Sequence, residues 1–143
     1  MSKFTPIEGG CLCGTLRYRI NGAPRLVSAC HCSICRKASG APMVVWLTVK
    51  KTLVEFLAGT LTWYKSSEPG RRGFCATCGA QIISTHEGYA NYYELTAGSL
   101  DDPDAVQLER HVFAPDRIAW LKLCDGLPQH VADARSPVIE GSP

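Results

Sequence analysis

Seven of the eight cysteines in this chain fall in three short clusters: Cys11-x-Cys13, Cys30-x-Cys32-x-x-Cys35 and Cys75-x-x-Cys78, with Cys124 alone. No other feature narrows the possible folds so far. Thiols spaced in this way are used in disulfides, in redox chemistry or on a metal. The opening residues, "MSKFTPIEGGCLCG", contain no apolar stretch of the secretory type, and no run approaches the ~20 apolar residues of a membrane helix. The expected location is therefore the cytoplasm, where thiols stay reduced, and disulfides lose their claim on the cysteines. A thiol oxidoreductase would need a βαβ setting around a Cys-x-x-Cys pair, and neither pair has one. Metal binding remains, and soft thiolates favour zinc.

The spacings carry geometric expectations. On an extended strand the side-chain period is two, so Cys11 and Cys13 would point to one face. A Cys-x-x-Cys pair on a tight turn lets two thiolates grip one ion at about 2.3 Å. Gly14 and Gly79, directly after Cys13 and Cys78, permit such turns. Seven ligands divide as four plus three: a closed site of Cys11, Cys13, Cys75 and Cys78, and an open one of Cys30, Cys32 and Cys35. The alternative completes the second site with Cys124 or a histidine and makes both sites structural. His31 should point away from a metal if its segment is extended. His111, in "VQLERHVF", reads equally as a packed strand residue or a site residue. His86 and His130 read as solvated groups beside turns, and Cys124 as a core thiol.

The rest of the chain is strand-rich. "TLRYRI" alternates, with Leu16, Tyr18 and Ile20 on one face, and "MVVWLTV", "VEFLAG", "LTWYK", "AQIIST", "NYYELTAGSL" and "VQLERHVF" are short β-branched and aromatic runs. "CSICRKASG" suits a helical turn and "DRIAWLKL" a short helix. The expected class is mostly β, in small antiparallel sheets, with one domain over residues 1–128 and a tail, extended or mobile, over 129–143. A net charge of +2, with lysines and arginines scattered, lacks the basic stripe of a nucleic-acid binder.

"GGCLCGTLRY", "CHCSICRKASG", "GFCATCGAQI", "RHVF" and "AWLKLCDGLP" together resemble the glutathione-dependent formaldehyde-activating enzyme (Gfa-like) family, which shares its domain with centromere protein V. The resemblance runs from about Glu8 to Pro128. It implies a β-tent of small antiparallel sheets around two zinc sites. The structural zinc falls on Cys11, Cys13, Cys75 and Cys78, and the catalytic zinc on Cys30, Cys32 and Cys35. Ser39-Gly40 and His111 also match family positions, without an assigned role.

A zinc with three thiolates carries a formal charge of about −1, so it is a weak Lewis acid and an unsuitable activator of water. A coordinated thiol, by contrast, is deprotonated and stays nucleophilic. The expected activity is a carbon–sulfur lyase acting on glutathione and formaldehyde, or on a related thiol adduct. Arg36, Lys37, Arg71 and Arg72 are candidate partners for the carboxylates of glutathione. The competing expectation is a non-catalytic zinc-binding module or glutathione carrier.

Overall fold

The computed structural model describes residues 3–141. In chain order the elements are β1 (Ile7–Gly10), β2 (Arg17–Ile20), β3 (Leu26–Cys30), α1 (Ser33–Ser39), β4 (Val44–Lys50), β5 (Val54–Ala58), β6 (Thr62–Lys65), β7 (Gly70–Phe74), β8 (Gln81–His86), β9 (Tyr92–Thr96) and β10 (Arg110–Val112), joined by short 3-10 turns. The protein is mostly β, with two sheets and one α-helix among the described residues. The chain groups into two compact units: Met1–Leu26 with Leu47–Val106, and Val27–Trp46 with Gln107–Pro143.

In the first unit, β2 lies between β1 and β5, antiparallel to both, with Ile7 opposite Ile20 and Tyr18 opposite Phe56. The alternation read from "TLRYRI" is real: Leu16, Tyr18 and Ile20 are buried, while Arg17 and Arg19 lie on the other face. There Arg19 pairs with Glu8, and Arg17 holds Asp101 through two nitrogens. The Tyr18 hydroxyl does not pay the cost of burial alone, because it sits 2.7 Å from Ser99 Oγ. The strands β6 to β9 form an antiparallel ribbon, with Trp63 opposite Gly73, Gly73 opposite Ile83, and Ile83 opposite Leu95. Ile82, Ile83 and Leu95 are sealed from solvent.

The second unit is built on a parallel pair. β10 runs alongside β3 with Arg110 opposite Ser28, His111 opposite Ala29 and Val112 opposite Cys30. A parallel pair needs a long connection, and here the link contains most of the first unit. α1 follows β3 directly, starting at Cys32 and ending at Gly40, whose left-handed backbone (φ 72°) sends its N–H to the Arg36 carbonyl at 2.7 Å. After Pro128, Gln129 bridges to His111, and the chain then folds back on itself, with His130 bridged to Val138 and the Ser136 N–H closing a turn onto the Asp133 carbonyl.

Two expectations fail here. "DRIAWLKL" does not form a helix; Ala114–Asp116 makes a 3-10 turn and Leu121 N–H closes a separate turn onto Ile118. A short helix depends on a buried face, and Trp120 is 69% exposed with Asp125-Gly126 following closely. Cys11-x-Cys13 is not on a strand either, since β1 ends at Gly10 and the pair occupies the turn beyond it.

Glu94 on β9 is an isolated acid in the first unit. Burial pushes it up to about 7, against a hydrogen bond from Thr48 Oγ1 at 2.8 Å. A carboxyl raised on folding binds more protons in the folded chain, so stability falls as pH climbs from the ordinary value of 4.5 towards 7. Glu94→Gln should therefore stabilise the protein by about 1–3 kcal/mol at about pH 8 and by much less at about pH 5, read from thermal melts. An equal effect at both pH values would show Glu94 to be well solvated.

Candidate functional site

Two turns of matching design build the first cluster. The Cys11 N–H bonds to the Leu16 carbonyl at 3.0 Å, and the Cys75 N–H to the Ala80 carbonyl at 3.0 Å. Inside each turn a glycine with positive φ (Gly14 at 80°, Gly79 at 77°) folds its N–H back onto the carbonyl of Cys11 or Cys75. That conformation is steeply unfavourable for a side chain with a Cβ. The result brings the sulfurs of Cys11, Cys13, Cys75 and Cys78 within 4.8 Å of one another. Cys11 and Cys13 sulfurs lie 3.5 Å apart, and those of Cys13 and Cys75 lie 3.8 Å apart.

Those spacings can be tested against a metal. Four sulfurs at 2.3 Å from a tetrahedral zinc would be separated by about 3.8 Å. A disulfide would need about 2.05 Å, and all eight cysteines are free. Local hydrogen bonds favour the thiolate at three of the four; at Cys75 the Cys78 amide acts the same way, but burial and the thiols of Cys11 and Cys78 leave it above its ordinary value. Burial raises the Cys11 thiol, but the Leu16 amide, 3.2 Å from its sulfur, and the neighbouring thiols bring it below the ordinary value. The Thr15 hydroxyl lowers Cys13, and the Ala80 amide lowers Cys78.

The second cluster forms where β3 runs into α1. Cys30 ends the strand, Cys32 caps the helix with its sulfur accepting the Cys35 N–H at 3.4 Å, and Cys35 is buried one turn in. Their sulfurs also lie within 4.8 Å of one another. Val44, Trp46, Val112 and Phe113 pack around them. Cys32 and Cys35, then burial, push the Cys30 thiol far above its ordinary value. Three thiols confined in an apolar pocket cannot ionise together without a cation, and a soft divalent cation supplies what they lack.

No fourth histidine, cysteine or carboxylate among the described residues joins this group. Cys124, expected in the core, is exposed; Leu123 takes the buried place. His31 is fully buried but lies outside the ligand group. Its Nε2 is 2.9 Å from Nδ1 of His111, whose Nε2 is 2.8 Å from Asp125 Oδ2. Both imidazoles are sealed from solvent. Burial, helped by His111, Arg117 and Arg36, pulls the His31 pKa down to about 4. Burial raises Asp125, but hydrogen bonds from His111 and the Leu127 amide outweigh it and hold the carboxyl below its usual range.

Other candidates are placed differently. Arg36 spends one guanidinium nitrogen on the backbone carbonyls of His31 and Asp116, at 2.6 and 2.7 Å, and so braces the cysteine loop. Lys37 is exposed on α1, while Arg71 and Arg72 belong to β7 in the first unit. His86 is exposed as expected, its Nδ1 accepting the Gly88 N–H. His130, expected at the surface, is 5% exposed: its Nδ1 lies 2.8 Å from the Ser136 carbonyl and its own N–H binds the His111 carbonyl. Asp125 was not foreseen. Fourteen positions separate it from His111, and no local pattern in the sequence announces their 2.8 Å contact.

Comparison with known proteins finds relatives in one family and a shared fold. The family model described as "Glutathione-dependent formaldehyde-activating enzyme" matches residues 6–116. A curated Halomonas elongata protein, named as a candidate glutathione-dependent formaldehyde-activating enzyme, is 28% identical over 126 residues, covering 82% of this chain and 80% of its own. A crystal structure of a Rhodobacter sphaeroides protein shares the fold with a TM-score of 0.57 at 23% identity, covering 71% of this chain and 96% of that one.

Protein prepared without chelator should carry about two zinc ions per chain, one for each thiol cluster. Cys13→Ser should lose one ion together with cooperative unfolding. Cys32→Ser should lose the other and leave the melt largely intact, because serine is itself a good helix cap. A wild-type content of one ion that survives Cys13→Ser would exclude the four-cysteine site.

Proposed function

The chain belongs to the glutathione-dependent formaldehyde-activating enzyme family, and from that premise we propose that it is a zinc-dependent carbon–sulfur lyase equilibrating glutathione and formaldehyde with S-(hydroxymethyl)glutathione. The observation that carries this reading is the cluster of Cys30, Cys32 and Cys35, to which the described residues add no fourth ligand. Cys11, Cys13, Cys75 and Cys78 would hold the structural zinc. We read the architecture as the β-tent of this family and the working environment as a reduced cytoplasm.

Zinc held by three thiolates would keep an incoming thiol deprotonated at neutral pH without blunting its nucleophilicity. The chain's own residues shape the rest. Cys30 and Cys35 are buried and Cys32 half-buried, so an ion on them is reached from the Cys32 side. Val44, Trp46, Val112 and Phe113 keep water from the sulfurs. Arg36 fixes the carbonyl of His31, between two of the ligands, and so holds the loop to α1. In the forward reaction the glutathione sulfur bonds to the formaldehyde carbon, the C=O π bond opens, and the thiol proton ends on the new hydroxyl oxygen. Nothing is oxidised or reduced. The reverse breaks the same carbon–sulfur bond.

Exchange NMR on mixtures of glutathione and formaldehyde tests the reading. Zinc-loaded wild-type protein should accelerate interconversion of the free and hydroxymethyl forms, and Cys32→Ser should slow it by about 100-fold or more. A panel of thiols and aldehydes would show whether glutathione and formaldehyde are preferred. Glutathione binding with no acceleration of any pair would identify a carrier instead of an enzyme.

A further inference from the structure

The ribbon of β6, β7 and β8 follows an apolar row with a charged one. Trp63, Gly73 and Ile83 stand opposite one another, and two positions further along the same face come Lys65, Arg71 and Thr85. Directly opposed side chains on antiparallel strands lie about 5 Å apart at Cβ, where like charges repel. Glu68, 2.7 Å from Lys65, relieves that lysine. Arg71 has no ion-pair partner among the described residues. Lys51, at the turn after β4, adds a third cation. Its Nζ sits 5.0 Å from the centre of the Tyr93 ring, and it too has no carboxylate partner among the described residues.

These three cations line one cavity of about 190 Å³, within the first unit of the chain. Thr85, His86 and Glu87, at the end of β8, line it too. The Gly88 N–H occupies Nδ1 of His86, so the neutral imidazole carries its proton on Nε2 and can donate it. The Glu87 N–H binds the Pro69 carbonyl at 2.9 Å and ties the turn between β6 and β7 to the end of β8. The cavity is therefore formed before anything enters it.

With Lys65 and Glu68 paired to each other, the charges left over are of both signs: Arg71 and Lys51 against Glu87, which forms no ion pair among the described residues. A plain anion would be repelled by Glu87, and a plain cation by the other two. A molecule with a carboxylate and an ammonium on one carbon suits both. We propose that this cavity binds an α-amino carboxylate, its carboxylate on Arg71 and Lys51 and its ammonium on Glu87. A guanidinium matches a carboxylate with two parallel N–H groups, and the Thr85 hydroxyl and His86 Nε2–H are further donors. Two kinds of molecule carry this group: a free amino acid, and glutathione at its γ-glutamyl end. The site lies outside the lyase reading and does not depend on it.

Backbone amide NMR on zinc-loaded protein reads the site during titration with L-glutamate, glutathione, glutarate and inorganic phosphate. Glutamate should shift the amides of Arg71, Thr85, His86 and Glu87 saturably, with a Kd on the order of 1 mM. Glutarate, which keeps both carboxylates but lacks the ammonium, and phosphate should bind at least about fivefold more weakly. Arg71→Gln should weaken glutamate by about tenfold. Glu87→Gln should weaken glutamate by a similar factor and leave glutarate unchanged or tighter, a crossing that damage to the fold would not produce. Both residues are exposed, so the variants should fold. Glutathione that shifts the same amides and competes with glutamate would identify itself as the ligand; glutathione that leaves them unmoved would assign the site to a free amino acid. No saturable shift with glutamate, phosphate or glutarate bound as tightly as glutamate, or a Glu87→Gln variant that binds glutamate normally would each overturn the proposal. The shifts need no turnover, so a protein without lyase activity would refute the lyase reading alone.

Discussion

Crowding of acidic sulfurs is the constraint from which the architecture follows. Cys11, Cys13, Cys75 and Cys78 are drawn within 4.8 Å of one another from turns more than sixty residues apart, and Cys30, Cys32 and Cys35 are crowded where a strand becomes a helix. Neighbouring thiolates repel, and burial compounds the cost for Cys30. Such clusters persist in a folded protein when a cation balances them. The first is built for holding: two turns with glycine hinges and amides directed at sulfur, closing all four corners. The second has three corners, with Cys32 as its more open side.

The surroundings of the two clusters differ in kind. Around the four cysteines the partners are backbone amides and a threonine hydroxyl, which stabilise thiolates and offer little else. The three cysteines have an apolar wall, an arginine tied to two carbonyls, and a line of imidazoles ending in a carboxylate. Polar groups are rarely buried in such numbers for stability alone, because each is costly when unpaired. That contrast in surroundings is what supports the proposed division of labour between the two clusters.

Much of this could be read from the chain. Cysteine spacing gave both clusters, because ligand geometry is local at Cys30–Cys35 and the remaining pairs match in kind. The alternation at Leu16, Tyr18 and Ile20 gave β2, because its period matches a half-buried sheet. What escaped depends on contacts distant in sequence. His31 meets His111 across eighty positions, and no local pattern announces a parallel pairing of β3 with β10. Asp125 meets His111 across fourteen positions of irregular chain, and no motif marks that contact. "DRIAWLKL" has helical composition, yet Trp120 stays 69% exposed, and propensity without a buried face does not hold a helix. His130 was misread for a related reason: its cover comes from the backbone around Ser136 and His111, which a polar tail sequence does not foretell.

The parallel partnership of β3 and β10 also has a consequence for biosynthesis. Cys30, Cys32 and Cys35 leave the ribosome early, but the strand that flanks Cys30 and the imidazole that engages His31 arrive about eighty residues later. Closing so long a loop is slow compared with local turns. All four members of the other cluster have emerged by Cys78, so the nascent chain completes one thiol cluster well before the long-range partners of the other are delivered.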